Sequence, residues 1–95
     1  MSRFSFVRSL IGLPRTPDKP SIESIAQTVA RETGLPVTDI MGASRTIPIA
    51  HARQEAMRRA YRTGQFSTTQ IGRVFGRDHT TVIHGINAAM QRLAK

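Results

Sequence analysis

The pattern that most constrains the fold lies in residues 65–87, QFSTTQIGRVFGRDHTTVIHGIN, where two helical segments meet at a glycine turn. Ser67 followed three residues later by Gln70 is a capping-box pattern, in which each side chain satisfies a backbone amide left free at a helix start. Ile71, Val74 and Phe75 then recur at i, i+3 and i+4, the spacing of one buried helical stripe. Gly76 predicts the end of that helix, because glycine enters the left-handed region without a Cβ penalty. Asp78 is the expected cap of the next helix, where Val82, Ile83, Ile86, Met90 and Leu93 predict a second buried stripe. Three polar residues, His79, Thr80 and Thr81, come ahead of that stripe. A short helix, a tight turn and a longer helix with a polar first turn is how a helix-turn-helix presents side chains to base edges. This element is expected to read DNA.

Charge points the same way. The 95 residues carry a formal net charge of +8, and the isoelectric point is near 11.7. Residues 43–77 hold seven arginines against the single acid Glu55, whereas residues 21–42 are net acidic. The basic field therefore sits beside the helix-turn-helix, where a polyanion would lie. Twelve of the fourteen basic residues are arginine, whose planar fork suits phosphate and guanine better than lysine does. The alternative reading of this field is a solvated basic face. An anionic membrane is not an expected partner, because no basic amphipathic helix with large apolar anchors is visible.

The motifs Ala52-Arg53-Gln54, Ala56-Met57, Ile71-Gly72, Phe75-Gly76 and Arg77-Asp78-His79-Thr80-Thr81-Val82, with His84 beyond, carry a family resemblance. Together they resemble the signature of the C-terminal DNA-binding domain of the bacterial chromosomal replication initiator DnaA. The resemblance covers about residues 21–93. It departs at two places. The family usually has one more residue between the phenylalanine and R-D-H, and it usually carries an apolar residue where Arg59 stands. The resemblance assigns Arg53 and Gln54 to DNA backbone contacts. It also assigns a minor-groove arginine to Arg45, which lies eight residues before Arg53 as the family's arginine does.

The residues themselves support a division of roles. Arg45 is central in the loop GASRTIP, residues 42–48; a narrow minor groove attracts such an arginine, and a solvent-exposed loop residue is the alternative. Asp78 is expected first as cap and then as an acceptor for a cytosine amino group. His79 and Thr80 are the candidates for major-groove base contacts, and Thr81 for a base or a phosphate. Arg77 is expected to clamp phosphate or to pair with Asp78. His84 and Asn87 lie within reach of phosphate or are ordinary exposed positions. Arg58 and Arg62 read as supporting charge, and Glu55 as a partner for Arg58 or Arg59.

The remaining chain supplies the scaffold. Ser21 caps a helix over residues 21–33, with Ile22, Ile25, Ala26, Val29 and Ala30 on one face and Gly34 and Pro36 as the stop. Residues 38–41 are expected to add one turn, capped by Thr38 and ended by Gly42. Residues 49–63 form the central helix, with Ile49, Ala52, Ala56, Met57 and Ala60 as its apolar face. Residues 1–20 read as a partly apolar, Pro-rich tail containing Phe4, Phe6, Val7, Leu10 and Ile11, and residues 21–95 as the DNA-binding domain.

The expected architecture is thus all-α, about five helices with a C-terminal helix-turn-helix. Cysteine is absent, His51, His79 and His84 lack metal-site spacing, and there is no G-x-x-x-x-G-K-[ST] loop. No metal, cofactor, nucleotide or catalytic activity is expected. The expected partner is double-stranded DNA at a box-like site, in a cytoplasmic, nucleoid-associated regulator of transcription or replication. The alternative is an adaptor that recruits a polymerase or replication protein through residues 1–20.

Overall fold

A computed structural model describes residues 21–94 and shows five helices with no strand among them. They are α1 (Ile22–Thr33), α2 (Val37–Met41), α3 (Ile47–Arg62), α4 (Thr68–Phe75) and α5 (His79–Ala94). The tail over residues 1–20, with its proposed partner, lies outside the described residues.

The caps explain most boundaries. The Ser21 hydroxyl accepts from the Ser24 N–H at 3.1 Å, and both halves of the Ser67–Gln70 capping box form. Two boundaries differ from the sequence expectation. Thr38 does not cap α2; the helix begins at Val37 after Pro36, whose ring fixes an entry conformation without any side-chain bond. The central helix begins at Ile47 and not at residue 49, because Pro48 is accommodated in its first turn, where a missing N–H costs nothing.

The central α3 packs against both α1 and α5, and α4 packs against α5. Ala52, Ala56 and Ala60 are buried along α3, so its neighbours approach closely. The core gathers Ile25, Val29, Ile40, Met57, Ile71, Phe75 and Val82 from all five helices. The buried stripe of α5 differs from the one its apolar residues predict. Val82, Gly85, Ile86 and Ala89 face the core, while Ile83, Met90 and Leu93 are 41, 54 and 62 % exposed. A Cβ added at Gly85 would lie 3.1 Å from the Met57 sulfur. The α3–α5 contact is therefore too close for large side chains, and the small residues turn inward instead.

Arg59 finds an acid on another helix. Its guanidinium forks onto both oxygens of Glu32 at 2.7 and 3.1 Å, and its Nε donates to Glu55 at 2.7 Å. Glu55 also takes two bonds from Arg58, so it pairs with both arginines. Bonds from Arg58 chiefly, then Arg59, hold the Glu55 carboxyl below its ordinary value of 4.5. Arg59 does the same to Glu32. A depressed carboxyl stabilises the fold above its unfolded-state value and loses that contribution as pH falls through the folded-state value. The Glu55→Gln variant should be less stable than the parent near pH 7, by less than about 1 kcal/mol, and the two should converge as pH falls through the folded-state value. Thermal melts across that range test this.

Candidate nucleic-acid interface

The tight turn between α4 and α5 depends on two glycines. Gly76 adopts φ 70° and closes α4 with its N–H directed to the Gly72 and Arg73 carbonyls. The Arg77 N–H then donates back to the Gly72 carbonyl at 2.8 Å. This folds the chain against Gly72 so closely that a Cβ there would lie 2.4 Å from the Arg77 carbonyl oxygen. Arg77 does not pair with Asp78; its Nη1 donates to the Phe75 carbonyl at 2.7 Å. The Asp78 carboxylate instead caps α5, accepting the Thr81 N–H through Oδ1 at 2.8 Å. That bond is the largest of the effects holding the Asp78 carboxyl below its ordinary range, so it stays ionised. His79, Thr80 and Thr81 stand exposed on the first turn of α5.

Beside this turn lies a cleft of about 360 Å³, and its walls draw on distant parts of the chain. Arg45, Arg53, Gln54, Arg77 and Thr81 line it, over a floor that includes Met57 and Gly85. No carboxylate is among the lining residues. Five sequence-predicted site residues therefore converge on one cavity, with Asp78, His79 and Thr80 on the adjoining turn. His84 is exposed on α5, whereas Asn87 lies apart from the cleft with Ile83, Met90 and Tyr61.

Arg53 is placed differently from an exposed phosphate ligand. It is only 5 % exposed, with Nε donating to the Ile40 carbonyl at 2.8 Å and Nη2 to the Asp39 carbonyl at 3.0 Å. The Ile40 carbonyl lies at the end of α2, and the Asp39 carbonyl, which also accepts the Gly42 N–H at 3.1 Å, takes a second bond from the guanidinium. Burial, and then the like charge of Arg77, lower the Arg53 pKa from its ordinary value. Two cations are thus held near each other at a cleft without a counter-charge, which is a site that favours an anion.

Sequence reasoning gave no role to Gly72, Gly85 or Arg92. A glycine inside a helix is a signal for close approach, and both glycines carried that signal. Arg92 carried none. Its Nη1 donates to the Gln54 Oε1 at 2.9 Å across 38 residues of sequence, and its Nη2 to the His51 carbonyl at 3.4 Å.

Among the described residues no three His, Cys, Asp or Glu side chains cluster as metal ligands, and no helix is long and apolar enough to cross a membrane. Residues 22–88 match the model of the bacterial DnaA protein helix-turn-helix. The chain is 41 % identical over 81 residues to the chromosomal replication initiator protein DnaA of Rhodopseudomonas palustris strain BisB5, covering 84 % of this chain and 17 % of that protein. It is 37 % identical over 90 residues to the same protein from strain BisB18, covering 94 % and 19 %. The DnaA protein of Nitrobacter hamburgensis is 41 % identical over 81 residues, again 84 % of this chain and 17 % of the relative. The chain thus spans less than a fifth of the length of these relatives. With a described fold of five helices ending in a capped helix-turn-helix, the chain belongs to the bacterial DnaA helix-turn-helix family, a DNA-binding domain.

Proposed function

We propose that the chain binds double-stranded DNA sequence-specifically at a site resembling the initiator's box, and regulates replication or transcription there. The observation that supports this most is the acid-free cleft of Arg45, Arg53 and Arg77 set against the exposed His79–Thr81 turn. A phosphate in that cleft would fix the register, and base edges would meet the first turn of α5 in the major groove. Asp78 caps the helix through Oδ1 and is exposed at the head of α5, where its carboxylate is assigned as an acceptor for a cytosine amino group. Arg45 is exposed before α3 and is assigned to the neighbouring minor groove.

Fluorescence anisotropy on duplexes with and without such a box, at several salt concentrations, tests the reading. Preference for the box with a finite salt slope is expected; equal binding to both, vanishing as salt rises, would overturn the specificity. The variant His79→Ala should lose about 1–3 kcal/mol of discrimination while keeping the salt-dependent nonspecific binding. Undiminished preference in a binding-site selection would remove His79 from the reading residues.

A further inference from the structure

We propose that Arg92 is a positioning residue that fixes which face of the Gln54 carboxamide is offered to DNA phosphate. The inference rests on the DNA-binding reading above and concerns a residue outside the motifs that led to it.

A carboxamide offers an acceptor oxygen on one side and a two-hydrogen donor on the other, and it can turn over to present either. A phosphate accepts only, so it is served by one orientation alone. Arg92 removes the choice. A guanidinium has donors and no acceptor, so the atom of Gln54 lying 2.9 Å from the Arg92 Nη1 must be the oxygen. The amide nitrogen then faces away from Arg92. Among the described residues that nitrogen makes no hydrogen bond, which leaves both its hydrogens available. Gln54 meanwhile lines the cleft with Arg45, Arg53 and Arg77.

Two further contacts fix the arrangement. The Arg92 Nη2 bond to the His51 carbonyl ties the guanidinium to the first turns of α3, so the fork cannot swing freely. Gly85 gives Gln54 its path across α5, since a Cβ there would lie 3.2 Å from the Gln54 Cγ. The distal end of α5 thereby reaches back to orient a donor near its own N-terminal reading turn. A long side chain held in its binding rotamer before contact loses less entropy on binding.

A double-mutant cycle separates this from the general effect of a positive charge. Parent, Arg92→Lys, Gln54→Ala and the double variant are titrated with box and non-box duplexes at fixed salt. Arg92→Lys keeps the charge but loses the two-pronged hold, and should weaken both duplexes about fivefold, the size of one net hydrogen bond. In the Gln54→Ala background the same change should have no effect. In the free protein, the Gln54 side-chain amide resonances should shift on Arg92→Lys while the melting temperature stays near the parent's. No loss on Arg92→Lys in either background would show that Arg92 acts through its charge alone, and an equal loss in both would show that it acts independently of Gln54; either result overturns the positioning role, with DNA binding intact. A parent that binds no duplex would overturn both this inference and the reading beneath it.

Discussion

Gly72→Ala is expected to collapse the reading head while leaving the rest of the helical scaffold recognisable. A methyl at this position would start 2.4 Å from the Arg77 carbonyl oxygen and 3.3 Å from the carbonyl carbons of Arg77 and Asp78. All three are backbone atoms of the turn, so no rotamer change relieves the clash. The turn must move outward, which breaks the 2.8 Å bond from the Arg77 N–H to the Gly72 carbonyl and shifts Asp78 at the head of α5. A cost of about 3 kcal/mol, at the upper end for overpacking, lowers the melting temperature of a domain this size by about 12 °C or more. Box-specific binding should fall further than stability, because every reading side chain follows the displaced turn. Gly85→Ala is the control. There the nearest atoms are the Met57 sulfur at 3.1 Å and the Gln54 Cγ at 3.2 Å, ends or middles of flexible side chains that are able to yield. If Gly72→Ala melts and binds like the parent, the turn is not seated against α4 as described.

The local signals proved legible because each depends on neighbours in sequence. Ser21, Ser67, Gly76 and Asp78 each act within three or four residues, and all four do what their positions predict. The misread face of α5 has a different cause. On α5 the apolar count favoured Ile83, Met90 and Leu93, but Met57 and Gln54 of the partner helix would lie only 3.1 and 3.2 Å from a Cβ at Gly85, and the close approach puts Gly85 and Ala89 inside. Periodicity finds a stripe and cannot tell how near the opposing backbone will come. The candidate site followed the same division. The first turn of α5 was visible as a motif, whereas the cleft that joins Arg45, Arg53 and Arg77 exists only after the helices pack. Arg92 meets Gln54 across 38 residues and left no local trace.

Arg53→Met should destabilise the free protein by about 3–5 kcal/mol, before any DNA is added. The methionine fills much of the same volume yet donates nothing, leaving the Ile40 and Asp39 carbonyls without the bonds at 2.8 and 3.0 Å. Hydrogen bonds from a charged donor contribute about 1.5–3 kcal/mol each, and the bond to Ile40 is buried. The short α2 has no side-chain bond at its N-cap, so the guanidinium is a principal tie between α2 and the rest of the fold. Arg53→Lys retains the charge for phosphate but lacks the planar fork, and should recover little of the loss. Hydrogen exchange should therefore quicken first at residues 40–42, ahead of α4 and α5. A guanidinium has five N–H groups and two are committed here, so the same side chain still has donors for a phosphate in the cleft. The two roles separate by measurement. If Arg53→Met weakens DNA binding while denaturation midpoint and exchange stay at parental values, Arg53 serves the ligand alone. A loss of stability that accounts for the loss of binding makes it the residue that holds the cleft's shape.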